Sequence, residues 1–380
     1  MNLRKQIIPL TTLFVLTVTI FSVLIFYSHN ATSKFSNITQ VNYNQRLESS
    51  PITIDDFEKL SKRMSLESVS FTYEAQNITV RESSITPVYT THNLFKLYNI
   101  KLDGEMFSED DVNNAKNKVV ISDTLALQLY FTTDIVGYEI EMFGETFTVC
   151  AVYSKSANLI DKLSKDGKER VFIPYTCANS TSQVPIYTMV YDNTSLSAPL
   201  VEQMNLSQYH FTNFAEKTKV IDTFNHIAYF VLFVALCVTA LLIWFKLCKR
   251  LLKDIKEDLS VNYLLKSFLS IPVKYLLFIV IALGIPAILL FIFLKSDFSI
   301  YIVAKYIPYD NLFDIKHYIN CVVDNAHYMN NLSLFGETYL LNLYANTVNI
   351  SVWLTLILTV CCTVLTISIV NLILVKLKKI

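Results

Sequence analysis

The residue types best suited to chemistry fall in two places. In the stretch DIKHYINCVVDNAH, residues 314–327, His317 and Cys321 stand four apart, with Asp324 and His327 beyond. On an α-helix His317, Cys321 and Asp324 would share a face, where nitrogen, sulfur and oxygen donors could hold a transition metal. Four mixed donors without the paired spacing of a zinc motif match an amphipathic helix over a membrane surface better, so no metal and no cofactor are expected. The second place is Cys150 and Cys177, each beside a strand-like run. A disulfide between them is possible outside the cytoplasm; the alternative is two small, separately buried side chains. No Ser-His-Asp, paired-carboxylate or Cys-His constellation stands out, and nothing marks the chain as an enzyme.

Other chemistries are excluded by composition. The chain has only six glycines, and none forms a Walker A loop or a dinucleotide fingerprint. With 32 cations against 32 anions and no recognisable motif, nucleic acid is not an expected partner.

The elements that must position these residues belong to a membrane protein. Across 380 residues, 52% are hydrophobic and 17% charged, with a mean hydropathy of +0.39. That mixture implies membrane spans plus a solvated domain. Four apolar runs reach the length of about 20 residues that a helix needs to cross about 30 Å of hydrocarbon. They are residues 7–27, 227–245, 275–294 and 351–375. The first is too long for a signal-peptide core and lacks a small-residue cleavage site, so it is expected to remain as an anchor. Arg4 and Lys5 precede the first run, Lys246 to Lys256 follow the second, and Lys376, Lys378 and Lys379 follow the fourth. All three groups then fall on the cytoplasmic side. The expected layout is a cytoplasmic N-terminus (1–6), an outer domain (28–226), a cytoplasmic segment (246–274), a second outer loop (295–350) and a cytoplasmic tail (376–380).

The outer domain reads as α/β. Thr53 caps a helix over IDDFEKLSKR, with acids first and cations last. SVSFTYEA, ITVRES, KVVIS, RVFIPY and PIYTMVYD read as strands, and Asp123 is expected to cap the helix TLALQLYF. YEIEMFGETFTVCAVY reads as a hairpin turning at Gly144-Glu145. From about Thr212 a helical pattern runs into the second span without Pro or Gly. It predicts one continuous, rigid helix.

These segments together carry a resemblance. The ordered set VVISDTLALQLYF, VGYEIEMFGETFTVCAVY and ERVFIPYT is similar to the extracytoplasmic core domain of MacB-type, FtsX-like ABC transporter permeases. Gly137 and Gly144 fall at the two glycines of that pattern, Phe147 and Val149 in its hairpin, and Ile173-Pro174 at the end of its last strand. Gly104 in LYNIKLDGEMF matches a further glycine upstream. Ala151 and Glu105 depart from the pattern, and the cytoplasmic loop KRLLKDIKEDLSVNYLLKSFLSIP keeps the family's cations but lacks its glycines.

The resemblance implies four transmembrane helices with an extracytoplasmic α/β domain between the first and second. It also implies a second permease chain, as homodimer or heterodimer, and an ABC ATPase supplied in trans. ATP hydrolysis would then drive mechanical work outside the membrane, or export of a peptide, antibiotic or lipid-linked substrate. The cytoplasmic segment suits ATPase coupling, through Lys253, Ile255, Leu259, Leu264, Leu265 and Phe268. On its residues alone that segment reads better as a helix on the lipid surface, and it is the resemblance that favours ATPase docking. Two other functions remain open: a regulator of a cell-wall hydrolase like the cell-division permease, and a membrane-anchored binding or sensory protein with no ATPase.

Overall fold

The computed structural model describes residues 3–35, 37–43, 50–61, 69–154, 167–178, 184–193, 209–261, 263, 272–296, 298–309, 311–330 and 335–377. The chain divides into two compact units. One comprises Met1–Ser28, Ile221–Tyr301 and Ile350–Ile380; the other comprises His29–Val220 and Ile302–Asn349.

Helix α1 (Leu3–Phe35) leads into strand β1 (Ile38–Tyr43), helix α2 (Ile54–Ser61) and strands β2 (Val69–Glu74), β3 (Ile78–Val80) and β4 (Ser83–Thr90). Short helix α3 (Leu94–Leu97), strand β5 (Leu102–Gly104) and short helix α4 (Glu109–Asn113) follow. Next come β6 (Lys118–Ser122), α5 (Asp123–Tyr130), β7 (Glu139–Met142), β8 (Glu145–Tyr153) and β9 (Glu169–Pro174). Strands β10 (Thr188–Asp192) and β11 (Tyr209–Asn213) complete the sheet. The remainder is helical: α6 (Phe214–Val261), α7 (Pro272–Lys295), α8 (Ile315–Asn330) and α9 (Phe335–Leu377).

Among the described residues four stretches are long and apolar enough to cross a membrane: Pro9–Ser33, Phe214–Ser260, Tyr275–Lys295 and Thr338–Leu372. They lie in α1, α6, α7 and α9, where the sequence places its four apolar runs. Helices α6 and α9 have 48 and 43 residues, twice the length of about 20 that hydrocarbon demands. The first seven residues of α6 and the first fifteen of α9 belong to the second unit.

That second unit is built on one mixed sheet of strand order β11-β1-β10-β2-β4-β9-β6-β8-β5, with β3 on β4 and β7 on β8. The β4–β9 and β6–β8 pairs are parallel and the other pairs antiparallel. Its apolar residues form two cores. Around α5, the side chains of Leu125 and Leu129 pack with Val119, Ile121, Phe147, Val149 and Ile173. Around α2, Ile54 and Phe57 pack with Val41, Phe71 and Met189. The rings of Phe57 and Phe71 meet edge-on at 5.0 Å. Each such side chain, once buried, contributes about 1.5–3 kcal/mol, so the two cores hold the sheet and its short helices together.

Local chemistry sets the element ends. Thr53 Oγ1 accepts from the Asp56 amide at 3.3 Å, and the Asp56 carboxylate accepts from Thr53, a reciprocal helix cap. Helix α5 is capped by Ser122 rather than by the expected Asp123: Ser122 Oγ accepts from the Leu125 amide, and Asp123 is the first helical residue. The β7–β8 hairpin turns on Phe143-Gly144 rather than Gly144-Glu145, since Met142 pairs with Glu145. Both turn residues have positive φ, 59° and 80°, the geometry that matches strand twist in a two-residue turn.

The segment Ile302–Asn349, between the third and fourth apolar runs, belongs to this same unit. Residues Thr72 on β2 and Thr188 on β10 pair directly, and α9 crosses them at Gly336. A β-carbon on Gly336 would collide with both threonine side chains. Beyond it, Leu340, Leu341 and Leu343 are buried, and the Tyr339 ring lies 5.6 Å from that of Tyr98. The neighbours of Thr72 and Thr188 on the other sheet face, Phe71 and Met189, belong to the α2 core. Strand alternation therefore gives this half-sheet one apolar face and one threonine face that admits a helix closely.

A second anchor is electrostatic. Ser108 and Asp111 cap α4 reciprocally. Lys118 Nζ and Lys116 Nζ reach the Asp111 carboxylate at 2.8 and 3.0 Å. The Lys118 ammonium, with further help from the Ser108 amide and Lys116, holds that carboxyl well below the usual range against an opposing desolvation.

Two outcomes follow for the full chain in detergent. Gly336→Ala lowers the melting temperature, because relieving the collision costs about 1–3 kcal/mol; a rise, as helix propensity alone would give at about 1 kcal/mol, contradicts the close approach. Asp111 has a depressed folded pKa, so its stabilisation is complete above the unfolded value of about 3.9 and is lost as pH falls through and below it. Asp111→Asn is therefore less stable at neutral pH by about 1–3 kcal/mol, and loses less stability than the wild type on acidification below about pH 4. Parallel pH profiles for the two proteins contradict this.

Candidate functional site

Helices α1, α6 and α9 each contribute one ring to an aromatic cluster in the sheet unit. Phe35, at the end of α1, stacks on Phe214, the first residue of α6, with ring centroids 5.4 Å apart and planes 16° from parallel. Tyr344 of α9 meets Phe35 edge-on at 6.3 Å and 75°. Both phenylalanines are fully buried. Buried aromatic pairs in these geometries contribute about 0.5–1.5 kcal/mol beyond their area.

The connections from this clasp to the sheet are short. Strand β1 begins at Ile38, just after α1 ends, and α6 begins directly where β11 ends. The two strands pair antiparallel from Thr39↔Asn213 to Tyr43↔Tyr209. Asn213 caps α6 by accepting from the Ala215 amide at 2.9 Å. It also accepts from Asn193 at 3.3 Å, and Asn193 accepts from Thr39 Oγ1 at 2.5 Å. Polar bonds thus lock the strand ends, and aromatic rings lock the helix ends.

The membrane unit has its own joints. Leu24 of α1, Ala228 of α6 and Leu358 and Cys362 of α9 form a buried contact. Pro286 lies inside α7, and its missing N–H deprives the Ala282 carbonyl of an intrahelical partner. The indole Nε1–H of Trp244 on α6 donates to this carbonyl at 3.3 Å and to that of Ile281 at 3.1 Å. In hydrocarbon a freed carbonyl needs such a donor, so Trp244 ties α6 to α7 beside Pro286.

The basic end of α6 separates the expected coupling residues. Cys248 and Ile255 are buried, Ile255 at 8% exposure, with Leu251 and Asp258 half-buried on the same helical face. Ile255 therefore faces inward. Leu259 is 37% exposed and Leu252, which the sequence reading left out, is 50% exposed. Lys253 is exposed and lies 3.9 Å from Glu257. Leu264, Leu265 and Phe268 lie outside the described residues. The available surface is a Leu252–Leu259 stripe, seven residues apart on one face, bordered by Lys249, Lys253 and Lys256.

The two outer cysteines are free. Cys150 Sγ donates to the Val119 carbonyl at 3.4 Å, and Cys177 Sγ to the Lys116 carbonyl at 3.6 Å. Burial pushes both thiols up to about 11. They remain protonated at neutral pH and match the alternative of separate, half-buried side chains. His317 Nε2 and Cys321 Sγ do meet, at 3.6 Å, but both are bonded to the Lys305 carbonyl. Among the described residues no three His, Cys, Asp or Glu side chains converge as metal ligands. These two serve to hold a turn.

Sequence reasoning missed the clasp, because Phe35, Phe214 and Tyr344 are far apart in the chain and individually ordinary. Trp244 carried a usable signal: the carbonyl that a proline frees within a span needs a donor, and an indole N–H can supply one.

The family described as "MacB-like periplasmic core domain" matches residues 11–203, just over half of the chain. Among solved structures, the periplasmic region of MacB from Actinobacillus actinomycetemcomitans is 17% identical, with a TM-score of 0.38, over 47% of this chain and 90% of that one. The extracellular domain of the noncanonic ABC-type transporter YknZ from Gram-positive bacteria is 16% identical, with a TM-score of 0.35, over 47% of this chain and all of that one, 100%. No curated protein sequence matches. The four apolar helices, the mixed sheet inserted between the first and second of them, and the match over residues 11–203 lead to one conclusion: the chain belongs to the MacB-like periplasmic core domain family, as a multi-pass membrane protein of the ABC transporter permease type.

Proposed function

We propose that the chain is the permease subunit of an ABC transporter, working with a separate ATPase and a second permease chain. In this role it passes the ATPase stroke to the outer sheet domain. The stroke does mechanical work there, or expels a peptide, antibiotic or lipid-linked substrate. The supporting observation is α6: a single helix from the Asn213 cap and Phe214 stack at one end to the basic Leu252–Leu259 stripe at the other. A helix of this length, unbroken by Pro or Gly, moves as a rod, and its first residue is seated on the end of α1. The cation groups at residues 4–5, 246–256 and 376–379 support cytoplasmic termini and a cytoplasmic α6 end. The sheet unit then lies outside the cytoplasm.

The ATPase contact is a helix-in-groove mode, with Leu252 and Leu259 as apolar anchors and Lys249, Lys253 and Lys256 around them. Ile255 acts from within, by packing the helix rather than by touching the partner. Replacing Leu252 and Leu259 together with Glu is expected to lower recovery of a Walker A-containing ATPase with the tagged chain by at least about tenfold, or about 1.4 kcal/mol. The amount of permease in the membrane should not change, since both positions are exposed. Undiminished ATPase recovery, or no ATPase recovered with the wild type, contradicts the proposal.

A further inference from the structure

Helix α8 turns its polar side inward. His317 Nε2 meets the Lys305 carbonyl at 3.1 Å, and Cys321 Sγ donates to the same carbonyl at 3.5 Å. Asn325 Oδ1 accepts from Lys305 Nζ at 2.6 Å, and Asn325 Nδ2 donates to the Tyr306 hydroxyl at 2.8 Å. These three residues, spaced four apart on one helix face, hold α8 to the 3-10 turn Ala304–Tyr306. Ile315, Ile319, Val322, Val323 and Ala326 fall on the opposite side, within an arc of about 100°. All five are exposed, Ile315 at 72% and Val322 at 68%. The turn before the helix adds Leu312 and Phe313, the ring at 87% exposure.

A helix on a water-facing surface buries its apolar stripe and shows its polar side; α8 does the reverse. A contiguous apolar face left outward marks a surface that meets a partner or lipid. Two observations select lipid. The first is the chain itself. The Tyr301 amide donates to Thr223 Oγ1 at 3.0 Å, and its carbonyl accepts from the same hydroxyl at 3.3 Å. Thr223 stands about one helical turn before the apolar run 227–245. Lys305, which α8 grips, follows Tyr301 by four residues, at most about 14 Å of chain. The second observation is charge. Lys316 and His327 border the apolar arc on one side, Tyr318 on the other, and all three are exposed; the Asp324 carboxylate stands on the far side of the helix. A basic border complements headgroup phosphates, and lysine reaches them while its stem lies along apolar surface. Two copies of this face packed antiparallel about a two-fold would instead set basic border against basic border.

We propose that α8 lies in the lipid–water interface, with Ile315, Ile319, Val322 and Val323 at the boundary of headgroups and acyl chains and Lys316 and His327 beside anionic headgroups. The sequence alone allows a helix over the membrane surface without saying which side meets lipid. The contacts to Lys305 and Tyr306 decide it: the His317–Cys321–Asn325 side belongs to the protein and the isoleucine–valine side to the bilayer. The helix thus fastens the 3-10 turn to the membrane surface. This rests on the chain being a multi-pass membrane protein, and it needs neither ATPase nor substrate.

The test uses the full chain in vesicles of phosphatidylethanolamine and phosphatidylglycerol, with a photoreactive benzoylphenylalanine placed at Ile319, at Val322 or, as the control on the far side, at Asp324. After irradiation, mass spectrometry identifies what each position has captured. Lipid adducts are expected at Ile319 and Val322 and several-fold fewer at Asp324. Phosphatidylglycerol should be over-represented among them, and Lys316→Gln with His327→Gln should remove that excess. If the photoreactive variants do not fold, the wild-type chain is labelled from vesicles carrying a diazirine phosphatidylcholine, and the label is expected in the peptide containing Ile315–Val323. Capture of a second copy or of another protein at Val322 overturns the proposal. So do equal lipid yields at Val322 and Asp324, or an unlabelled α8 peptide in the reconstituted wild type. An excess of phosphatidylglycerol that survives the two Gln substitutions overturns the role given to the basic border.

Discussion

The stack of Phe35 on Phe214 is the contact on which the rest depends. It joins the end of α1 to the start of α6 at the point where both become sheet strands. Because β1 and β11 are paired along their length, a shift of one helix end relative to the other must strain that pairing or move both strands together. Close-packed interiors do not absorb such shifts by continuous deformation. Tyr344 brings a third helix to the same rings, and Gly336, one helix segment earlier, seats α9 on the threonine face of the sheet. The clasp therefore brings three helices together beside one sheet.

The membrane unit is organised by a different constraint, the need to satisfy backbone polar groups away from water. Pro286 within α7 frees a carbonyl, and Trp244 supplies the missing donor from α6. Further along, Tyr301 and Thr223 exchange bonds at 3.0 and 3.3 Å, and His226 meets the Ser299 carbonyl at 2.8 Å. Span and following segment are thus held to α6 by polar contacts at several levels, so α6 serves as the common post of this unit.

Much of this was legible in the sequence, and the reasons for the remainder are physical. Long apolar runs, alternating strands and the Gly144 turn are local signals, and the four spans, β6, β8 and β9 emerged from them. The strand β11 escaped because its residues Tyr209–Asn213 run straight into a helical pattern, and β1 because its partners lie about 150 residues away. Asp123 was an easy cap to choose, but Ser122 has the geometry to reach the Leu125 amide. Ile255 and Leu259 looked equivalent on a helical wheel, and only packing separates the buried one from the exposed one. The cysteine pair illustrates the same limit: β6 lies between the strand of Cys150 and the strand that Cys177 follows, and the two thiols meet the separate carbonyls of Val119 and Lys116.

The central claim is that nucleotide-driven motion reaches the sheet through the Phe35–Phe214 joint. Hydrogen–deuterium exchange of the reconstituted permease–ATPase complex, with and without a non-hydrolysable ATP analogue, tests it most directly. The account predicts that the nucleotide changes amide protection in β1 and β11, and that Phe214→Ala abolishes this change while the ATPase remains bound. Unaltered protection of β1 and β11 in the wild type, or the same change in the Phe214→Ala protein, would contradict it.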